Sequence, residues 1–106
     1  MEEDLKDKLI DDDMLILLKE QFGKVFKSEF SIGSFAWRIL GRKEYKEITE
    51  DDKLTIFARE EAICTKCVLA PEGFDFTNGA AGVATVLSEQ IMDASGFLAL
   101  SRPQEI

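Results

Sequence analysis

Hydrophobic and polar positions along this 106-residue chain change period several times, and each change marks an element. After Asp13, Leu15, Leu18 and Phe22 recur at helical spacing, and Met14 and Leu17 widen the stripe. Asp13 is a suitable N-cap, and Gly23 is a natural stop because glycine takes the left-handed conformation that ends helices. The period then falls to two. Over residues 24–30, Phe26 and Phe30 share one parity, continued by Ile32, while Val25, Lys27 and Glu29 hold the other. Ser31-Ile32-Gly33-Ser34 reads as a turn, after which Phe35, Trp37 and Ile39 alternate with Ala36, Arg38 and Leu40. This pattern predicts a β-hairpin with an aromatic face. A two-stranded ribbon is marginal alone, so helices must cover that face.

Gly41 breaks the second strand. Residues 42–48 predict a short helix with Tyr45 and Ile48 three apart, and Thr49-Glu50-Asp51-Asp52 is a capping stretch before a helix over residues 53–68. The apolar face of that helix is Leu54, Phe57, Ala58, Cys64, Cys67 and Val68, broadened by Ile56 and Ile63. Glu60 and Glu61 interrupt it, as in a helix that is only partly buried. Residues 70–82 form a connection dense in breakers (Pro71, Gly73, Asn78, Gly79 and Gly82), with Phe74 and Phe76 pinning it to the core. In the last helix, residues 83–94, Val83, Leu87, Ile91 and Ala94 are in register, flanked by Val86 and Gln90. Ser95-Gly96 ends it, and Phe97 folds back on its final turn. The predicted fold is α+β: a single small domain over residues 13–100, with a β-hairpin packed against three or four helices. Residues 1–12 read as an acidic arm or a loose helix through Leu5, Leu9 and Ile10, and residues 101–106 as a short tail. There is no internal repeat.

Composition narrows the function. Hydrophobic residues make up 45% of the chain, and eight Phe supply much of the bulk, which suffices for a modest core. The net charge of −8 argues against nucleic-acid binding and against an anionic membrane surface. The charge is uneven: residues 19–46 carry seven bases and three acids, between acidic flanks. A basic middle between acidic ends allows self-association, subunits meeting head to tail, and equally suits a solvated surface of mixed sign. No apolar run approaches the roughly 20 residues that span a bilayer. The start, Met1-Glu2-Glu3-Asp4, lacks the basic and apolar regions of a signal peptide, so cytosolic synthesis and reduced thiols are expected.

The absence of His removes the usual general base and the commonest metal ligand. Cys64 and Cys67 are the only cysteines. A structural zinc site needs about four ligands. One Cys pair could complete it only across two chains or with Glu60 or Glu61. A redox pair places its first Cys at a helix N-terminus, whereas these fall in the last turn of the predicted helix, where the dipole disfavours a thiolate. Both cysteines are expected to be small buried packing residues. Asp11-Asp12-Asp13 and Glu50-Asp51-Asp52 lack the alternation of a calcium loop and read as helix caps. Gly79-Ala80-Ala81-Gly82 precedes a helix but lacks the Lys and Ser or Thr of a phosphate loop. Arg38 and Arg42 beside Tyr45 form either an anchor for a partner's acid or a surface salt bridge over the hairpin. No catalytic set, cofactor site or metal site is expected.

Three blocks carry a resemblance. Phe35-Ala36-Trp37-Arg38-Ile39-Leu40-Gly41-Arg42-Lys43-Glu44-Tyr45 is the first. The run from Glu60-Glu61-Ala62-Ile63 through Cys64-Thr65-Lys66-Cys67-Val68-Leu69-Ala70-Pro71 is the second. Ala81-Gly82-Val83, followed by Ile91-Met92-Asp93-Ala94-Ser95-Gly96-Phe97, is the third. Together they resemble tail-assembly chaperones and related baseplate-associated proteins of long-tailed bacteriophages, over residues 24–97. Ile39 stands where that family often has Pro, which softens the strand-to-helix corner, and the arm 1–12 lies outside the pattern. The resemblance implies a non-enzymatic role in the host cytoplasm: binding the long helical tape-measure protein, or another tail protein, until tube subunits polymerise around it. The alternative it implies is a structural virion protein of the tail or baseplate. A Cys-pair redox or zinc-binding protein is the reading from another class, and an acidic mimic of nucleic acid is disfavoured by the basic middle. The residues expected to meet the partner are Phe35, Trp37, Arg38, Arg42 and Tyr45. The helix face around Val83, Leu87 and Ile91 is expected to be core.

Overall fold

A computed structural model of the protein describes residues 10–97 and 103–106. In chain order it contains helix α1 (Asp12–Phe22), strands β1 (Phe26–Phe30) and β2 (Gly33–Trp37), and helices α2 (Arg42–Glu50) and α3 (Ile56–Cys67). Strand β3 (Val68–Ala70) and helix α4 (Ala81–Met92) follow, and α4 runs into a π-turn over Asp93–Phe97. The strands make one antiparallel sheet in the order β1-β2-β3, so the fold is α+β.

The hairpin forms where the alternation placed it. Its register runs from Phe26↔Trp37 to Phe30↔Gly33. Gly33, at φ 143°, already belongs to β2, so the loop is the two residues Ser31-Ile32 rather than the four-residue turn predicted. One face of the sheet carries Phe26, Ser28, Phe30, Phe35 and Trp37. Phe35 is fully buried there among Ile63, Cys64, Cys67, Leu87 and Ile91 of α3 and α4. Phe30, Phe74 and Phe76 surround its ring at centroid distances of 5.6, 5.0 and 5.6 Å, which is how the 70–82 connection is pinned. The Trp37 indole stacks on Phe26 at 4.6 Å and donates its Nε1–H to Ser28 Oγ, which donates in turn to Gln90 of α4. Burying Trp37 therefore leaves no unpaired donor. The other face carries Ala36, covered by Ile10 and by Leu15 and Leu18 of α1.

Three expectations are corrected. First, α3 starts at Ile56, because Thr55 caps it by accepting the Ala58 N–H at 3.0 Å. The acidic stretch instead makes the preceding turn, with Asp51 accepting the Lys53 N–H. Ile56 and Phe57 consequently sit on a first turn that projects past the core, 73% and 71% exposed, rather than on its buried face. Second, Val68 is not helical. It pairs with Trp37 in β3, a strand too short to show alternation. Third, Asp11 rather than Asp13 caps α1, its Oδ1 accepting the Met14 N–H at 2.8 Å. Ile10 is buried against the sheet, so the arm expected over 1–12 does not reach that far, and residues 1–9 lie outside the described residues. Phe97 contacts the Tyr45 ring at 4.9 Å. Of the expected tail, residues 103–106 have no regular structure, and 101 and 102 lie outside the described residues.

α4 buries Val83, Ala84, Leu87, Ser88 and Ile91, in agreement with its periodicity, whereas α1 buries no residue fully. Leu87→Ala is therefore expected to destabilise the protein by about 3 kcal/mol. Leu17→Ala, at a position 64% exposed, should stay within about 0.5 kcal/mol of the parent. Urea unfolding followed by circular dichroism measures both. Equal effects would contradict this placement of the core.

Candidate functional site

The residues expected to meet a partner separate into two groups. Phe35 and Trp37 are 0% and 4% exposed, and both lie under α3 and α4. They are core residues and present no surface, which corrects their assignment as partner contacts: the helices needed to cover an aromatic hairpin cover these two rings. Arg38 is half-buried, Tyr45 is half-buried, and Arg42 is exposed with its guanidinium 5.9 Å from the Tyr45 ring.

Arg38 stands at the corner where β2 leaves the sheet. Its Nη1 and Nη2 donate to the two carboxylate oxygens of Glu44 at 2.9 and 2.8 Å, a bidentate pair. Nη2 also donates to the Lys66 carbonyl at 3.1 Å, and the Arg38 backbone N–H donates to the Cys67 carbonyl at 3.1 Å. Both acceptors belong to the last turn of α3, where helix carbonyls lack partners of their own. Glu44 is the third residue of α2, and its Oε1 accepts the N–H of Gly41, the N-cap residue, at 3.0 Å, which is the reaching-back half of a capping box. A Cβ on residue 41 would come within 3.3 Å of that oxygen. The pair thus ties together the C-terminus of α3, the N-terminus of α2 and the end of β2. Of the two readings open for Arg38, the intramolecular salt bridge is the one formed. Its hydrogen bonds, led by the Arg38 fork and aided by Gly41, hold the Glu44 carboxyl at about 2, below its ordinary 4.5.

The third block joins the same junction. Ser95 Oγ accepts the Leu40 N–H at 2.8 Å and donates to the Ile91 carbonyl. Gly96, at φ 106°, lets the chain turn there. The Cys64 thiol donates to the Ala84 carbonyl of α4 at 3.4 Å. Cys64 and Cys67 are fully buried free thiols. Burial pushes Cys64 up to about 12 and Cys67 up to about 11, opposite to what a nucleophile or metal ligand needs. Among the described residues no group of three or more His, Cys, Asp or Glu could hold a metal ion. No helix among them is long and apolar enough to cross a membrane.

A surface concavity lies elsewhere, between α3 and α4, with a volume of about 460 Å³. Its lining includes the apolar Ile56, Ile63 and Met92 and the acidic Glu60, Glu89 and Asp93. Glu60 is engaged by the Thr85 hydroxyl at 2.7 Å, which leaves Glu89 and Asp93 exposed toward solvent. Arg59 also lines it, held by a single long bond to the Thr49 carbonyl at 3.5 Å and with its Nε buried and unbonded. Sequence reasoning missed this groove. Its signal was the Ile56-Phe57 pair, which is apolar but precedes the segment that can reach the core.

Comparisons with protein-family models, with curated proteins and with solved structures find no match.

Two measurements follow from this geometry. Both thiols should resist a disulfide exchange reagent at pH 8 in the folded protein and react fully in denaturant. Rapid reaction of either in the native state would contradict their burial. Replacing Glu44 with Gln should cost about 1 kcal/mol at neutral pH, since the pair is only partly shielded from water. Because the folded carboxyl lies below its unfolded value, its contribution is complete above pH 4.5 and is lost as pH falls through about 2. The stability gap between parent and Glu44→Gln should therefore close over that interval in urea titrations at successive pH values.

Proposed function

We propose that this protein is a non-enzymatic tail-assembly chaperone of a long-tailed bacteriophage, and that it holds a helical segment of the tape-measure protein in the groove between α3 and α4. The observation that carries this reading is that the three sequence blocks similar to that family meet at one junction. Arg38 of the first block bonds the Lys66 and Cys67 carbonyls of the second, and Leu40 of the first bonds Ser95 of the third. In this fold the three blocks are therefore fastened to one another by side-chain and backbone hydrogen bonds.

The groove supports the partner's class. An amphipathic helix can lay its apolar stripe over Ile56, Ile63 and Met92, while its flanking lysines meet Glu89 and Asp93. Phe57, next to Ile56 on the first turn of α3, is a second exposed apolar side chain there. Arg42, exposed over the Tyr45 ring, offers a separate contact for an acidic side chain.

The test is co-purification with the tape-measure protein expressed beside it. The double variant Ile56→Ser, Phe57→Ser changes exposed positions, so its circular dichroism and melting should match the parent. Its affinity for the tape-measure protein should fall at least about tenfold. Undiminished binding would remove the groove from the reading. Mass spectrometry of purified phage particles separates the roles: a chaperone is absent from them, whereas a structural tail or baseplate protein is present.

A further inference from the structure

The hairpin leaves one edge of the sheet open. β1 pairs with β2 on its inner side, and no described residue pairs with its outer side. The two-residue loop decides which backbone groups face outward. The pair that closes such a loop, Phe30 and Gly33, exchanges both backbone hydrogen bonds. Alternation along an antiparallel ladder then turns the N–H and C=O groups of Phe26, Ser28 and Phe30 toward β2. Those of Lys27 and Glu29 point away from the edge. Their side chains lie on the face opposite the aromatic core, 36% and 74% exposed, and approach each other at 3.4 Å.

A second β1, running antiparallel, must pair its own outward residues with these. Three registers do so. Lys27 opposite Lys27 places like charges face to face, and Glu29 opposite Glu29 does the same; both are unfavourable. The third register centres on Ser28 and sets Lys27 opposite Glu29 twice, once in each direction. The order Phe26-Lys27-Ser28-Glu29-Phe30 is therefore self-complementary in charge, and it also sets Phe26 opposite Phe30 on the other face.

We propose that two copies of this chain associate through their β1 edges, antiparallel and centred on Ser28, joining two three-stranded sheets into one of six strands. The contact is isologous, with four backbone hydrogen bonds from Lys27 and Glu29 and two cross-strand ion pairs. A charged edge normally discourages pairing with foreign strands. Here the opposite charge two residues along converts that deterrent into selectivity for the same strand. A five-residue edge is small, so the dimer is concentration-dependent rather than obligate. This proposal does not rest on the tape-measure reading.

Sedimentation equilibrium on the full chain tests it by charge reversal. Lys27→Glu alone and Glu29→Lys alone each set like charges opposite one another in both pairs. Each should raise the dimer dissociation constant at least about tenfold. Mixing the two variants restores opposite charges in both pairs, and so does the double variant Lys27→Glu, Glu29→Lys; both should return to about the parental constant. Because recovery on mixing requires two folded chains, misfolding cannot imitate it. In hydrogen exchange of the parent, the Lys27 and Glu29 amides should gain protection as concentration rises while the Ser28 amide, bonded within the hairpin, stays protected throughout. A parent that remains monomeric at the highest concentration it tolerates in solution overturns the proposal. So does a dimer indifferent to both single reversals.

Discussion

The bidentate pair between Arg38 and Glu44 is the contact on which the arrangement of elements depends. A chain leaving a central strand into a helix exposes backbone groups at the corner, and so does any helix that ends beside it. Here one guanidinium accounts for the α3 end through the Lys66 carbonyl, and one carboxylate accounts for the α2 start through the Gly41 N–H. Each partner is charged, so each bond it makes is stronger than a neutral one. The two groups also neutralise each other, which permits their partial burial. Removing either would leave a half-buried charge and an uncapped helix end together, a larger loss than an exposed pair of the same length would bring.

Much of the fold was legible because it rests on local periodicity. The hairpin declared itself by parity, and α4 by the 83, 87, 91 register. What escaped depended on contacts distant in sequence. Strand β3 exists because the chain leaving α3 lies beside Trp37, and three residues carry no pattern of their own. The start of α3 was misplaced because four acidic or hydroxyl residues outweighed the single Thr55 that does the capping. Arg38 and Glu44 were six residues apart across a corner, so their pairing was not visible as a helical spacing. The position of Glu44 three residues after Gly41, however, was a capping signal open to sequence reasoning.

The candidate site was less legible than the fold, for a physical reason. Aromatic residues with adjacent arginines are what interfaces use, but they are equally what a small sheet uses to hold its helices. Phe35 and Trp37 have the composition of a hot spot and the position of a core. Only the sheet's pairing order decides between these, since β2 is the central strand and both its faces are covered. Cys64 and Cys67 follow the same logic. Their spacing suggests ligation, yet a helix end turned into an aromatic core raises both thiols and leaves them as packing atoms.

The segments 35–45, 60–71 and 91–97 are thus largely engaged in internal fastening, and this constrains where recognition can occur. A side chain that closes a corner or fills the core cannot also read a partner without undoing the contact that positions it. Among the described residues, the surfaces free to recognise something include the first turn of α3, the acidic residues Glu89 and Asp93, the outer side of α1 with Ile16 and Leu17 exposed, and the outer edge of β1. These lie on different sides of the sheet, because α1 covers one face while α3 and α4 cover the other. An edge-to-edge contact through β1 would extend the sheet within its own plane. Ser28, at the centre of that edge, donates to Gln90 of α4, so α4 would flank the two-fold axis of such a pair and the same contact would bring the two copies of that helix toward each other.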